Sequence, residues 1–279
     1  MPFAIYVPFF PGHEPNVIFS REAEIADYSA YLALAEQTTS AAVFEAEVPA
    51  DGPVVDAGCG GGRWLVRLHQ RGRRMIGLDM HRPVLQHLRE QAPAVPVLCA
   101  AVTALPFQAD ALAALISLGV VEHTEAGPAA ALREFARVLR PGGRLLLSVP
   151  FNNLLRRLVV NHWYRRYNSR WAGRGYYFVE YRFTRREILA ALRRAGIRPL
   201  SCHPHDLKPP HNVGLVADLN MLSIRFEQEG AALRLRLPHG GEWRLQGWRA
   251  LAARLLYRFS PWLGAAEILV VAEKPGASR

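Results

Sequence analysis

Short, almost wholly apolar runs alternate along this chain with segments whose apolar residues recur every three or four positions. One run starts at Val54, and others cover 73–79 (Met75, Ile76 and Leu78), 95–100, 111–118 and 144–150. Between them lie 63–71, 82–91 and 128–140, the last with Leu132, Phe135, Ala136 and Leu139 at helical spacing. Pro83 suits a first helical turn and Gly72 a helix end. Strands and helices in this alternation predict a parallel sheet with crossover helices on both faces. Continuously apolar strands fit it, because both of their faces are covered.

The flanking segments read differently. Ser20 predicts a cap for a helix over 21–38, with Ile25, Tyr28 and Ala35 inward, and a short helix follows over 40–46. The segment 151–182 breaks the alternation with aromatic residues and Arg. A helix over 184–195 is well marked: Thr184 and Glu187 form a capping box and Gly196 a stop. A strand over 197–202 leads to a second insertion. There Leu233, Leu235 and Leu237 alternate with Arg234 and Arg236, and the turn 238–241 with Trp243 and Leu245 completes a predicted hairpin. Trp248, Leu251, Leu255, Phe259 and Trp262 then form one stripe, with Arg249, Arg254 and Arg258 around it. An interfacial helix and a core-facing helix share this pattern; the expectation is that the stripe faces the core. A last strand covers 266–272.

A length of 279 residues with 50% apolar and 21% charged residues is a globular composition, enough for one domain with insertions. The net charge of +10 favours anionic partners, although all but two of the cationic side chains (Lys208 and Lys274) are Arg, a skew that codon bias also produces. Cys59, Cys99 and Cys202 are scattered, which argues against a disulfide framework and for a reducing, cytoplasmic setting. No cysteine pair has metal-ligand spacing, so no metal is expected. The first ten residues lack a basic leader region, and no uncharged apolar run approaches the roughly 18 residues of a membrane span.

Chemistry enters at Val54-Val55-Asp56-Ala57-Gly58-Cys59-Gly60-Gly61-Gly62. A strand ends in an acid, and four glycines turn the chain into a helix. Glycine permits positive φ and close approach of a ligand, and the free N–H groups of a helix start suit an anionic group. Asp79 stands 21 residues after Gly58 at the end of the next strand, where a carboxylate can accept both ribose hydroxyls of an adenosine. At this point NAD, FAD and S-adenosylmethionine all remain open.

Asp56-Ala57-Gly58-Cys59-Gly60-Gly61-Gly62 fits D-x-G-x-G-x-G better than G-x-G-x-x-G. Further on come Ala104-Leu105-Pro106-Phe107, then Ser117-Leu118-Gly119-Val120-Val121-Glu122-His123, then the run from Leu132 to Leu145 containing Arg140-Pro141-Gly142-Gly143. In this order the motifs resemble class I S-adenosylmethionine-dependent methyltransferases of the kind acting on small molecules, strongly over 54–150 and more weakly beyond. The resemblance implies an α/β, Rossmann-like, doubly wound sheet of seven strands with only the last antiparallel. Residues 1–50 would form a helical lead-in or lid, and 51–279 the methyltransferase domain with insertions at 151–182 and 203–263. Carried over by position, Gly58, Cys59 and Gly60 approach the methionine end of S-adenosylmethionine, and Asp56 orients the loop or its water. Asp79 holds the ribose, Met80 packs on the adenine, and the Leu118 carbonyl meets the amino group. Relatives often place an acid where this chain has Ala101, and Asp where it has Ala113, so adenine recognition falls to the backbone of Ala101-Val102.

Methyl transfer rests largely on positioning and exclusion of water, with a base needed for a hydroxyl acceptor. His123 is the expected base, although relatives carry Glu-His here as packing. His162, Tyr164 and Tyr167 are the alternatives in the insertion, and Tyr28 is a candidate for contact with the cofactor carboxylate. The aromatic insertions suit a small apolar or aromatic acceptor, with O, N or C methylation and oligomeric state all undetermined. Peripheral membrane contact is a further expectation from the 248–260 helix. Nucleic acid is disfavoured: no RNA module is visible, and Leu118-Gly119-Val120-Val121 lacks the Asn/Asp-Pro-Pro-aromatic pattern of base-amine methylation. An RNA methyltransferase and a cofactor binder without transferase activity are the rival readings.

Overall fold

The computed structural model describes residues 1–8, 25, 27–170, 176–215, 218, 226–229, 232–235 and 244–276. Its centre is a seven-stranded sheet. In chain order the strands are β2 (Pro53–Ala57), β3 (Arg74–Asp79), β4 (Val97–Cys99), β5 (Leu112–Leu118), β6 (Leu139–Pro150), β8 (Arg198–His205) and β11 (Glu267–Glu273). Their spatial order is β4-β3-β2-β5-β6-β11-β8. All neighbours pair in parallel except β11, which runs antiparallel to both β6 and β8. Winding leaves β2 in one direction toward β3 and β4 and resumes in the other at β5. The carboxyl ends of β2 and β5 are therefore the switch point at which a sheet of this kind binds its ligand.

Alternation along the strands splits the core into two layers. Leu115, Leu145 and Leu147 face α5 (Ala129–Val138) and α7 (Arg185–Arg194) through Leu132, Phe135, Ile188 and Leu192. Ile116 and Leu146 face the other way, onto Leu65 and Leu88 of α3 (Arg63–Gln70) and α4 (Arg82–Gln91). Phe44 of α2 (Ala41–Glu47) stacks on Trp64 with centroids 3.9 Å apart. Each fully buried Leu in these layers contributes about 1.5–3 kcal/mol. The capping box at Thr184 and Glu187 starts α7 as read from sequence.

Four expectations change. The lead-in helix is shorter: α1 (Tyr28–Ala33) begins where Asp27 accepts the Ala30 N–H, and Ser20 with 21–24 lies outside the described residues. Strand β6 starts at Leu139 rather than after the glycines, with Pro141-Gly142-Gly143 absorbed at a register shift against β5. Of the alternating leucines, Leu233 and Leu235 lie in β10 (Ala232–Leu235), whose partner is β9 (Phe226–Glu229), a strand not expected from the sequence; Leu237 and Trp243 lie outside the described residues. The turn 238–241 lies outside the described residues. Last, α8 (Gly247–Phe259) turns its apolar stripe outward: Trp248 and Phe259 are 74% and 84% exposed.

The sequence reading also missed a small antiparallel sheet. β1 (Phe3–Pro8) pairs with β7 (Tyr176–Arg182) of the first insertion, so the chain start is fixed to that insertion. Between β6 and β7 run a π-helical turn (Arg156–Val160) and α6 (Asn161–Arg170). The short α9 (Pro261–Gly264) leads into β11.

Candidate active site at the switch point

The glycine loop leaves β2 and is bound to the next strand by its own backbone. The N–H groups of Gly58 and Cys59 both donate to the Leu78 carbonyl, at 2.6 and 3.0 Å. Gly58 has φ +83°, and a Cβ there would lie 2.3 Å from Val120 Cγ2. Glycine is thus required both by the turn and by the turn after β5 that presses on it. Asp56 and Cys59 are buried beneath the loop. From above, Tyr28 donates its hydroxyl to the Gly61 carbonyl at 3.0 Å, and burial pushes that phenol up to about 12. Ile25 and the Tyr31 hydroxyl approach Gly61 so closely that a Cβ there would sit 2.8 and 3.0 Å from them. The lead-in helix therefore lies on the loop.

Asp79 binds the loop from the side. Its Oδ2 accepts the Gly60 N–H at 3.0 Å and its Oδ1 accepts the His81 N–H at 2.8 Å. A carboxylate has about four acceptor sites, so two remain for a ligand. Met80, the next residue, is 75% exposed, an apolar side chain with no core to enter. Across β4, the Ala101 carbonyl closes a turn with the Ala104 N–H at 3.1 Å, while the N–H groups of Ala101 and Val102 donate to no described residue. Leu118 ends β5 opposite Ser148, half-buried.

Residues 55–147 match a family described as "Methyltransferase domain". That stretch, a third of the chain, carries the pattern of a methyltransferase domain. Curated relatives match a little over a third of the chain. A Xenopus tropicalis tRNA (carboxymethyluridine(34)-5-O)-methyltransferase is 38% identical over 108 residues, covering 38% of this chain and 17% of that protein. A Mycolicibacterium smegmatis protein named for S-adenosylmethionine-dependent methyl transfer is 34% identical over 97 residues, covering 35% of this chain and 37% of its own. The chain thus spans less than half the length of these relatives. In fold it is similar to a chain of the complex between the Haloferax volcanii Trm112 methyltransferase activator and a methyltransferase. The TM-score is 0.59 at 20% identity, with 92% of this chain and 98% of that chain covered.

The residues of this stretch fit S-adenosylmethionine, the cofactor for which the Mycolicibacterium smegmatis relative is named. Asp79 keeps two acceptor sites for ribose hydroxyls. Met80 offers an exposed apolar surface for the adenine, and the Ala101-Val102 N–H groups offer donors for its ring nitrogens. Gly58, Cys59 and Gly60 form the turn itself, with Asp56 in β2 just before it. No described group of three His, Cys, Asp or Glu residues could hold a metal ion.

Past β5 the domain carries its titratable groups. His123 Nδ1 lies 2.7 Å from the Val179 carbonyl, which can only accept, so that nitrogen bears the proton. Nε2 then presents its lone pair, 3.6 Å from Glu122 Oε1. Glu122 is 1% exposed and its Oε2 has no hydrogen bond with a described residue; burial, reinforced by the charge of Glu267, holds its carboxyl well above the usual range. Desolvation raises Glu267 as well, against a hydrogen bond from Ser148 Oγ. Both carboxylates reach Gly119, where a Cβ would stand 3.5 Å from an oxygen of each. Glu122 was visible in the sequence beside His123, but its burial was not, and Glu267 lies 145 positions further on in the chain.

The first insertion covers this edge. Val179 takes the His123 bond, and the Tyr181 hydroxyl donates to the Glu125 carbonyl at 2.8 Å. Phe178, Tyr181 and Phe183 pack in series, and Phe151 meets Trp262 edge-on at 5.6 Å. Buried ions bind the two insertions together. Arg156 Nε donates to both Asp218 oxygens at 3.1 and 2.9 Å, and Arg182 stands 3.6 Å from Oδ1. Sequence reasoning missed this triad, whose members are 26 and 36 residues apart.

The alternatives to His123 sit elsewhere. His162 is exposed on the wall of a cavity of about 560 Å³ lined by Met1–Ala4, Asn152, Arg157, Asn161 and others, and no residue of the glycine loop lines it. Tyr164 is buried under the Arg182 guanidinium, and burial pushes it up to about 12. The side chain of Tyr167 lies outside the described residues.

Proposed function

We propose that this protein transfers the methyl group of S-adenosylmethionine to a small apolar or aromatic acceptor. The observation that carries the cofactor half is the Asp79 bridge, which fixes the glycine loop and still has acceptor capacity for a ribose. The aromatic residues Phe151, Phe178, Tyr181 and Trp262 beside the switch point support an apolar acceptor. The cofactor brings a methyl group on a sulfonium, which needs only an aligned acceptor.

This chain's residues do the rest. Tyr28 and the lead-in helix hold the loop and exclude water from the methionine end. With Nδ1 committed to Val179, His123 Nε2 takes the proton an acceptor hydroxyl loses. Incubation with S-adenosylmethionine and a panel of apolar alcohols and phenols, read by mass spectrometry, should yield S-adenosylhomocysteine and a methylated acceptor. His123→Gln should lower kcat about 100-fold while leaving S-adenosylhomocysteine binding intact. Tight cofactor binding without transfer to any acceptor would identify a binder instead.

A second reading, an RNA acceptor, is favoured by the net charge of +10 and by the name of the Xenopus tropicalis relative. It requires methylated nucleosides in RNA treated with the protein, and RNA affinity that falls steeply with salt.

A further inference from the structure

The outward stripe of α8 has no place in the site just described. Trp248, Leu251, Leu255 and Phe259 follow one another at helical spacing and are 74%, 58%, 60% and 84% exposed. The opposite face is satisfied: Ala250, Ala253 and Leu256 pack with Leu155, Leu215 and Leu245. Arg249 lies on one side of the stripe, and Arg254 and Arg258 on the other, all exposed. Arg254 and Arg258 form no ion pair with a described residue, and the Arg249 guanidinium sits 5.8 Å from the Trp248 ring centre. Between Arg244 and Ala266 there is no Asp or Glu. The adjoining segment repeats the combination. Leu154, Leu158 and Trp163 are exposed, Arg157 and Arg165 accompany them, and 151–179 contains no acid.

We propose that this face docks the protein onto an anionic lipid bilayer. A stripe of Leu and Phe has somewhere to go in the acyl boundary, Trp prefers the headgroup level, and Arg on both flanks meets lipid phosphate. The charge pattern discriminates among occupants. A second copy using the same face would set Arg against Arg with no carboxylate between them. RNA would satisfy the arginines and could stack on Trp248 and Phe259 at the two ends, but the stripe between them is Leu251 and Leu255, which offer no ring for successive bases. The docking is independent of which acceptor is methylated, because it is read without turnover.

The test is sedimentation of the full chain with vesicles of phosphatidylcholine containing 30% phosphatidylglycerol, beside vesicles of phosphatidylcholine alone. The protein should pellet with the anionic vesicles and at least about tenfold less with the neutral ones. Leu251→Glu with Leu255→Glu should abolish pelleting. Arg254→Ala with Arg258→Ala should weaken it and flatten its salt dependence. These side chains are solvent-exposed, so far-ultraviolet circular dichroism and Tm should match the parent; if the Glu pair unfolds, Trp248→Ala with Phe259→Ala is read in its place. Wild-type protein left in the supernatant, or an apolar-stripe variant that keeps its fold and pellets like wild type, would overturn the proposal. So would a wild-type dimer in lipid-free sedimentation velocity that the stripe variants convert to monomer.

Discussion

The Gly60 N–H donates to Asp79 Oδ2 at 3.0 Å, so the glycine loop after β2 and the acid ending β3 form one unit. A hydrogen bond to a carboxylate stabilises by about 1.5–3 kcal/mol. Asp79→Ala should therefore act twice, loosening the loop and removing the ribose acceptor. Calorimetry should show S-adenosylhomocysteine affinity reduced at least tenfold. Asp79→Asn, which keeps the shape but loses the charge, should fall between.

Gly58 tests the turn against its neighbour. Alanine there meets positive φ and Val120 Cγ2 together. Gly58→Ala should destabilise by about 1–3 kcal/mol from the backbone alone, with the clash in addition. Adding Val120→Ala should recover the steric part only, which paired urea unfolding curves of the single and double variants would measure.

Glu122 makes stability depend on pH. Burial raises its carboxyl well above 4.5, so the folded protein holds that proton to higher pH than the unfolded chain does. Stability from this site is fully present below the unfolded value and is lost as pH rises through the folded one. Glu122→Gln keeps the shape and cannot ionise. Its Tm should exceed that of wild type at pH 8–9, and the gap should close toward pH 4.

Asp218 carries two buried guanidinium groups, those of Arg156 and Arg182. Asp218→Ala strands Arg156 without its carboxylate and leaves Arg182 only Glu180, and breaking a buried pair in this way costs about 3–5 kcal/mol. Asp218→Asn should be milder. Limited proteolysis should cut the two insertions first, since the triad joins them to each other, while the central sheet resists.

Legibility followed the range of the interactions. The strands at 54, 73–79 and 111–118 and the helices at 82–91 and 184–195 were readable because each buries a face whose period is written in neighbouring residues. Gly58, Asp79 and the loop were readable because the turn needs glycine wherever it folds. β1 and β7 were not, because their pairing joins residues more than 170 positions apart at its outer end. The β9–β10 pairing was not read either, because alternation gives a strand its faces but not its partner.

The chain by itself thus determined the parallel strands of the sheet and the loop with its acid, because local sterics and periodicity suffice for them. Only the tertiary structure decided which charges are buried and which apolar stripe is not. Glu122 became a raised carboxyl because Glu267 and the insertion close over it. The stripe on α8 faces outward because the helix already packs Ala250, Ala253 and Leu256 beneath it. Amphipathic spacing specifies two faces of a helix; which of them meets the core depends on what the rest of the fold presents to it.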